Sequence, residues 1–255
     1  MLSPEPDSID DIDREYQETS AALAEAKVTE ELLMHPNSLL PKKALFQRYQ
    51  NEMQQEFTTF RRRQTNGALK LAQSLQELVL EQPELFTEEV FAEIDHIAAL
   101  SDRIASDELG YSEHIAKGGS LQGFAGVSDA TMEKLYQAAK RLYEQQLFAE
   151  AADAFYFLVG LNGEFPAFWL GLANAEFHRK NYKEAIAAYA NAIQSNSYDP
   201  SIHLSISQCY EALGENDKAI STLDIGLAAI ESNEEYTNDK ASLETEKMRL
   251  QNTGN

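Results

Sequence analysis

Residues 132–233 fall into three frames of 34 residues, opening at Met132, Pro166 and Pro200, in which the same residue types return to the same columns. A frame of this length is a pair of helices too small to hide its own apolar face, so it is stable only when stacked on a neighbour. Stacked pairs leave a concave trough along the row of first helices, and a ligand would lie there.

The columns say how the helices meet. Ala139, Ala173 and Ser207 share the crossing point of each first helix, and Ala151, Ala185 and Ala219 the facing point of each second helix. Phe155, Tyr189 and Leu223 follow four residues later, one turn along the same face. Small residues let helices approach and large ones fill the gap, as ridge-into-groove packing requires. Pro166 and Pro200 each open a helix, where a missing amide donor costs nothing, and Asp199 is a good cap for the second.

The segment Trp169 to Ala192 resembles the tetratricopeptide repeat, with Trp169, Leu172, Tyr182, Ala185 and Tyr189 at matching columns. In the other frames Leu135 and His203 replace the tryptophan. The expected fold class is all-α: a solenoid of three helical pairs plus a capping helix, preceded by a helical amino-terminal region. The expected division is 1–110 for that region, 111–128 for a glycine-containing joint, and 129–251 for the repeats with their cap.

Upstream, Ile9, Ile12, Tyr16, Leu23 and Leu33 mark a narrow apolar stripe on a first helix. Pro36 and Pro41 break the chain, and a second helix, from about Lys42 to Gln64, aligns Phe46, Tyr49, Met53, Phe57 and Phe60. Leu71, Leu75, Leu78 and Val79 mark a third, ended by Pro83. Thr87 caps a fourth carrying Val90, Ile94, Ile97 and Ile104. Lys42, Lys43, Arg48, Arg61, Arg62, Arg63 and Lys70 form the basic island of this half, read either as a solvated helix flank or as a docking patch for an acidic partner. Between Gly118 and Ser128 the apolar Leu121, Phe124 and Val127 make the joint an anchored one. Leu243 and Leu250 on a helix around Asp239 to Gln251 are available to close the solenoid, and the last residues are expected to fray.

Composition excludes several classes of function. A formal charge of −21 repels nucleic acid and anionic membranes, both of which need clustered Lys and Arg. No apolar run approaches a membrane span, Met1 to Asp13 is acidic where a secretory signal is basic, and Cys209 is the single cysteine, so the expectation is a soluble cytoplasmic protein. Cys209 within a repeat helix reads as a small buried residue. His35, His96, His114, His178 and His203 have no motif partners, no Cys/His spacing fits zinc and no phosphate loop is present. Neither an enzyme nor a cofactor or metal is expected.

The run from Ala116 to Ala151, AKGGSLQGFAGVSDATMEKLYQAAKRLYEQQLFAEA, is similar to the start of class II type III secretion chaperones, with Gly118, Gly119, Ser120, Leu121, Val127, Ser128, Leu135 and Tyr136 in matching order. Phe168 to Ile186 resembles that family's second repeat. The resemblance implies a chaperone that holds a hydrophobic translocator before export, gripping an extended Pro- and Leu-containing segment in the trough. Trough-facing columns of the first helices are Tyr136, Lys140 and Tyr143, then Leu170, Asn174 and Phe177, then Leu204 and Gln208. Three apolar anchors at roughly 1.5–3 kcal/mol each, against an association cost of at least about 4 kcal/mol, make the affinity weaker than nanomolar.

The family begins with one short helix, whereas this chain carries about a hundred further residues, which leaves homo-oligomerisation, groove covering and docking to the secretion apparatus open for that region. A carboxylate clamp is disfavoured because Tyr136, Gly171, Ser201 and Ser205 occupy its columns and only Asn174 fits. An adaptor or regulator of the apparatus and a needle-subunit chaperone, which would bury a helix, remain the alternative readings.

Overall fold

In the computed structural model, residues 20, 21, 23–31, 34, 42–195, 199–231 and 237–253 are described, and regular structure among them is helical. The stripe positions Ile9, Ile12, Tyr16 and Leu33, and the final two of the terminal residues expected to fray, lie outside them, while the last helix runs to Thr253. The chain forms two compact units, Met1–Arg63 with Ala98–Lys117, and Gln64–Ile97 with Gly118–Asn255.

The first unit contains helical residues 23–31, the first part of α1 (Lys42–Glu81), α3 (Leu100–Ser106) and α4 (Glu108–Ala116). Its buried apolar residues are Ala24, Val28, Leu45 and Leu100. Leu23, expected on the covered stripe, is 51% exposed instead, because the covered side of this helix runs through Ala24 and Val28, one turn apart. Arg48 pairs with Glu31 at 2.7 Å and with Glu52 at 3.6 Å, and the Tyr49 hydroxyl donates to Glu31. This member of the basic island is thus balanced by the chain's own acids.

Helix α1 is one helix of 40 residues, where the sequence reads as two. Gly67, between the two stretches that read as separate helices, is buried, and a Cβ there would fall 2.1 Å from the Asp153 carbonyl oxygen. The glycine therefore serves close approach to a partner helix and leaves the helix unbroken. Residues 64–97 also pack with the repeats rather than with the amino-terminal region in which 1–110 placed them. Leu71, Leu75 and Leu78 are buried, Ser74 Oγ donates to the Ala138 carbonyl at 2.7 Å, and Gln64 Nε2 donates to the Tyr156 carbonyl at 3.4 Å. Arg141 pairs with Glu77 and Glu81 on the exposed flank. After a 3-10 turn at Pro83–Leu85, α2 (Glu88–Ala98) starts with Thr87 Oγ1 accepting from the Val90 amide.

The joint folds as the short helix α5 (Leu121–Ala125), capped by Ser120. Gln122, 5% exposed, donates to the Val127 carbonyl and Asp129 and accepts from Asn162, which locks the joint onto the first two repeat helices. Ser128 caps α6 (Asp129–Glu144) through the Thr131 amide and donates to Glu93.

Helices α6 and α7 (Phe148–Leu161), α8 (Pro166–His178) and α9 (Tyr182–Gln194), and α10 (Ser201–Ala212) and α11 (Asn216–Glu231) are the three pairs, and α7 and α9 each pack on the first helix of the next pair. The small residues of the crossing columns, Ala139, Ala173, Ser207, Ala151, Ala185 and Ala219, are all fully buried. Asp199 accepts from the Ser201 amide at 2.9 Å, as its capping position predicts. The turn inside every pair carries one left-handed residue at the same column: Gln146 (φ 61°), Lys180 (φ 64°) and Gly214 (φ 76°). Helix α12 (Thr237–Thr253) buries Leu243 and Leu250 against Ala219, Leu223 and Ile230 and closes the stack.

Candidate functional site

Spacing of four and three residues puts Tyr136, Lys140 and Tyr143 on one face of α6, and Leu170, Asn174 and Phe177 on the equivalent face of α8. Helices α6 and α8 are neighbours, so the two faces form one surface. Tyr136, Tyr143, Leu170, Asn174 and Phe177 are half-buried, while Lys140 and Gln208 are exposed.

The aromatic side chains gather in two groups. Tyr136 stacks on Phe168 at 6.0 Å and tilts against Phe155 at 5.9 Å, and Phe165 lies 4.9 Å from Phe168. Further along, Tyr143 meets Phe148 edge-on at 5.4 Å and His178 at 5.6 Å, and His178 stacks on Phe148 at 4.5 Å. Phe177 meets both His178 and Tyr182 at 5.8 Å. Offset and edge-to-face geometries at these distances are favourable, so both groups hold their shape without a ligand. Burial pushes the Tyr143 hydroxyl above its ordinary value, so at neutral pH it is an un-ionised donor.

The polar columns are individually tied. Lys140 pairs with Glu144 at 3.4 Å on its own helix, a surface pair of little energetic weight. Asn174 Oδ1 accepts from the Tyr189 hydroxyl at 2.6 Å. Leu204 differs from the other apolar columns: it packs against the terminal core of Leu223, Leu243 and Leu250 and takes no part in the aromatic groups. Phe148, which the sequence did not single out, and Tyr182, read there only as a repeat column, stand 34 residues apart just after the turns of the first two pairs. Their shared column was the signal that could have found them.

Other chemistry-bearing side chains have structural surroundings. Cys209 is fully buried and its thiol is pushed up to about 11, which removes the thiolate a nucleophile needs. His203 is 8% exposed, and burial holds its imidazole below the usual range. Glu176, 1% exposed, takes hydrogen bonds from Arg179 and Asn181 and so fastens the turn of the second pair. Among the described residues no cluster of His, Cys, Asp or Glu is arranged to hold a metal ion, and no helix is long and apolar enough to cross a membrane.

Tetratricopeptide-repeat family profiles match residues 136–200 and 176–243. A type III secretion system complex from Aeromonas hydrophila contains a chain that superposes with TM-score 0.53 at 21% identity, covering 57% of this chain and 97% of the other. The type III secretion translocator chaperone SycD of Yersinia enterocolitica gives TM-score 0.48 at 22% identity, covering 51% and 98%. PcrH, solved in complex with the chaperone binding region of PopD, gives 0.48 at 20%, covering 51% and 98%. No curated protein matches the chain. The repeat segment is a tetratricopeptide-repeat solenoid in an all-α protein.

Proposed function

We propose that this protein is a non-catalytic chaperone that binds an extended segment of a hydrophobic type III secretion substrate, a translocator, along the first-helix face and keeps it soluble and unassembled before export. The observation that carries the reading is the continuous half-exposed apolar face of α6 and α8, with Tyr136, Leu170 and Phe177 open to a ligand and the two aromatic side chains ordered by neighbouring rings. The resemblance of Ala116 to Ala151 to class II chaperones supplies the substrate class, and the fold shared with a chain of a type III secretion complex agrees with it. Apolar side chains of the substrate would fill the spaces beside the rings, and Lys140, Asn174 and Gln208 would bond its backbone. The site acts in the bacterial cytoplasm on this reading, and the first unit supplies self-association or docking to the apparatus.

Co-expression with the hydrophobic translocators of the same secretion system tests it. Tyr136→Ala with Leu170→Ala weakens capture in a pull-down while the circular dichroism spectrum and melting temperature stay those of the parent. Unchanged capture moves the site elsewhere. A needle subunit or a sorting component co-purifying in place of a translocator replaces this reading with the needle-chaperone or adaptor one.

A further inference from the structure

The half-buried amide of the first-helix face is oriented from behind. Tyr189, on the second helix of the same pair, is 3% exposed and donates its hydroxyl proton to Asn174 Oδ1 at 2.6 Å. A phenol has a single proton to give, and an asparagine amide has one acceptor oxygen and two donor hydrogens. With Oδ1 engaged, the planar amide is fixed about its last torsion, and Nδ2 is turned away from Tyr189 with both hydrogens unused by that bond. Burial pushes the Tyr189 hydroxyl up to about 12, so its proton is in place throughout the physiological range. Ser205 on α10 lies beside the same hydroxyl and pulls its acidity the other way, but burial prevails.

Resting on the reading of this face as a peptide site, we propose that Tyr189 is a positioning residue that makes Asn174 a one-way donor, aimed at a main-chain carbonyl of the bound segment. An amide free to turn presents either end and favours neither partner. An amide held by its oxygen rewards an unpaired carbonyl and penalises an unpaired N–H, because a donor facing a donor leaves both unsatisfied. An extended segment offers such carbonyls along its length, whereas a helix has spent all but its last few on itself. The pair therefore selects backbone conformation.

The probe is a capped peptide alternating leucine with proline, whose prolines hold it extended and leave its carbonyls unpaired. Tyr189→Phe keeps the ring and removes only the hydroxyl. Its expected effect is a roughly tenfold loss of affinity by fluorescence titration, the worth of one well-placed hydrogen bond. Asn174→Ala loses the same, and the double variant loses no more than either single one. A merely structural role of Tyr189 would instead lower the urea midpoint and add to Asn174→Ala. Side-chain amide signals of Asn174 in the unliganded protein give an independent readout: two separate Nδ2 protons in the parent, moved in Tyr189→Phe. Parent-like affinity of Tyr189→Phe, or additive losses, overturns the proposal. If Tyr136→Ala loses the peptide while Tyr189→Phe retains it, positioning fails and the peptide site stands. A parent protein that does not bind the peptide overturns both.

Discussion

His203 stands where the first frame has Leu135 and the second Trp169, and a titratable ring in a packing column has a consequence that neither of those residues shares. Its imidazole is held below the ordinary value by burial, so the folded chain resists the proton that the unfolded chain accepts. Stability from the neutral ring is complete above the unfolded histidine value of about 6.5 and is lost as pH falls through the lower folded value. Glu81 and Glu246, held below the carboxylate range by hydrogen bonds from Arg141 and Arg249, lose their contribution only at lower pH. The two windows can therefore be separated. His203→Leu is expected to flatten the decline in urea midpoint that sets in below about pH 7, while leaving the steeper acid limb. A decline of unchanged slope would assign it to other groups. Of the proposed site, the spacing of Tyr136, Lys140 and Tyr143 was legible in the sequence, because a helix face is a local property. The release of Leu204 to the terminal core was not, since it depends on α12, folded back from beyond a polar break.

Between element and element, the turn inside each pair repeats one conformation with different residues. Gln146 and Lys180 adopt a left-handed conformation that costs a residue with a Cβ about 1 kcal/mol, and Gly214 adopts it freely. Lys180→Gly should raise the unfolding free energy by about 1 kcal/mol and Gly214→Ala should lower it by a similar amount, read from chemical denaturation. Opposite signs are the essential outcome, and a shared sign would show that contacts at the turn outweigh backbone strain. The helical pairs themselves were readable because prolines, small crossing residues and caps are short-range signals. The continuity of α1 across Gly67 was not readable for the opposite reason: the Asp153 backbone that this glycine approaches lies far along the chain.

For the whole molecule, the seam lies inside α1 and again near Ala98 and Lys117, so a cut placed by sequence at residue 110 removes part of the repeat unit. The lost segment contains Leu71, Leu75 and Leu78, at most 7% exposed, and the Ser74 bond to the Ala138 carbonyl. Three buried leucines are worth roughly 1.5–3 kcal/mol each, so their removal takes most of the approximately 5–15 kcal/mol by which a domain is stable. It also uncovers apolar surface on α6, the helix that supplies Tyr136. A chain starting at Tyr111 is therefore expected to melt well below the full-length protein, to aggregate and to lose capture. A chain starting at Gln64 retains the covering segment and should keep a repeat-unit melting transition near the parent's, with capture intact and any change confined to oligomeric state in light scattering. Equal thermal stability of the two truncations would mean that residues 64–97 rest on the repeats without stabilising them.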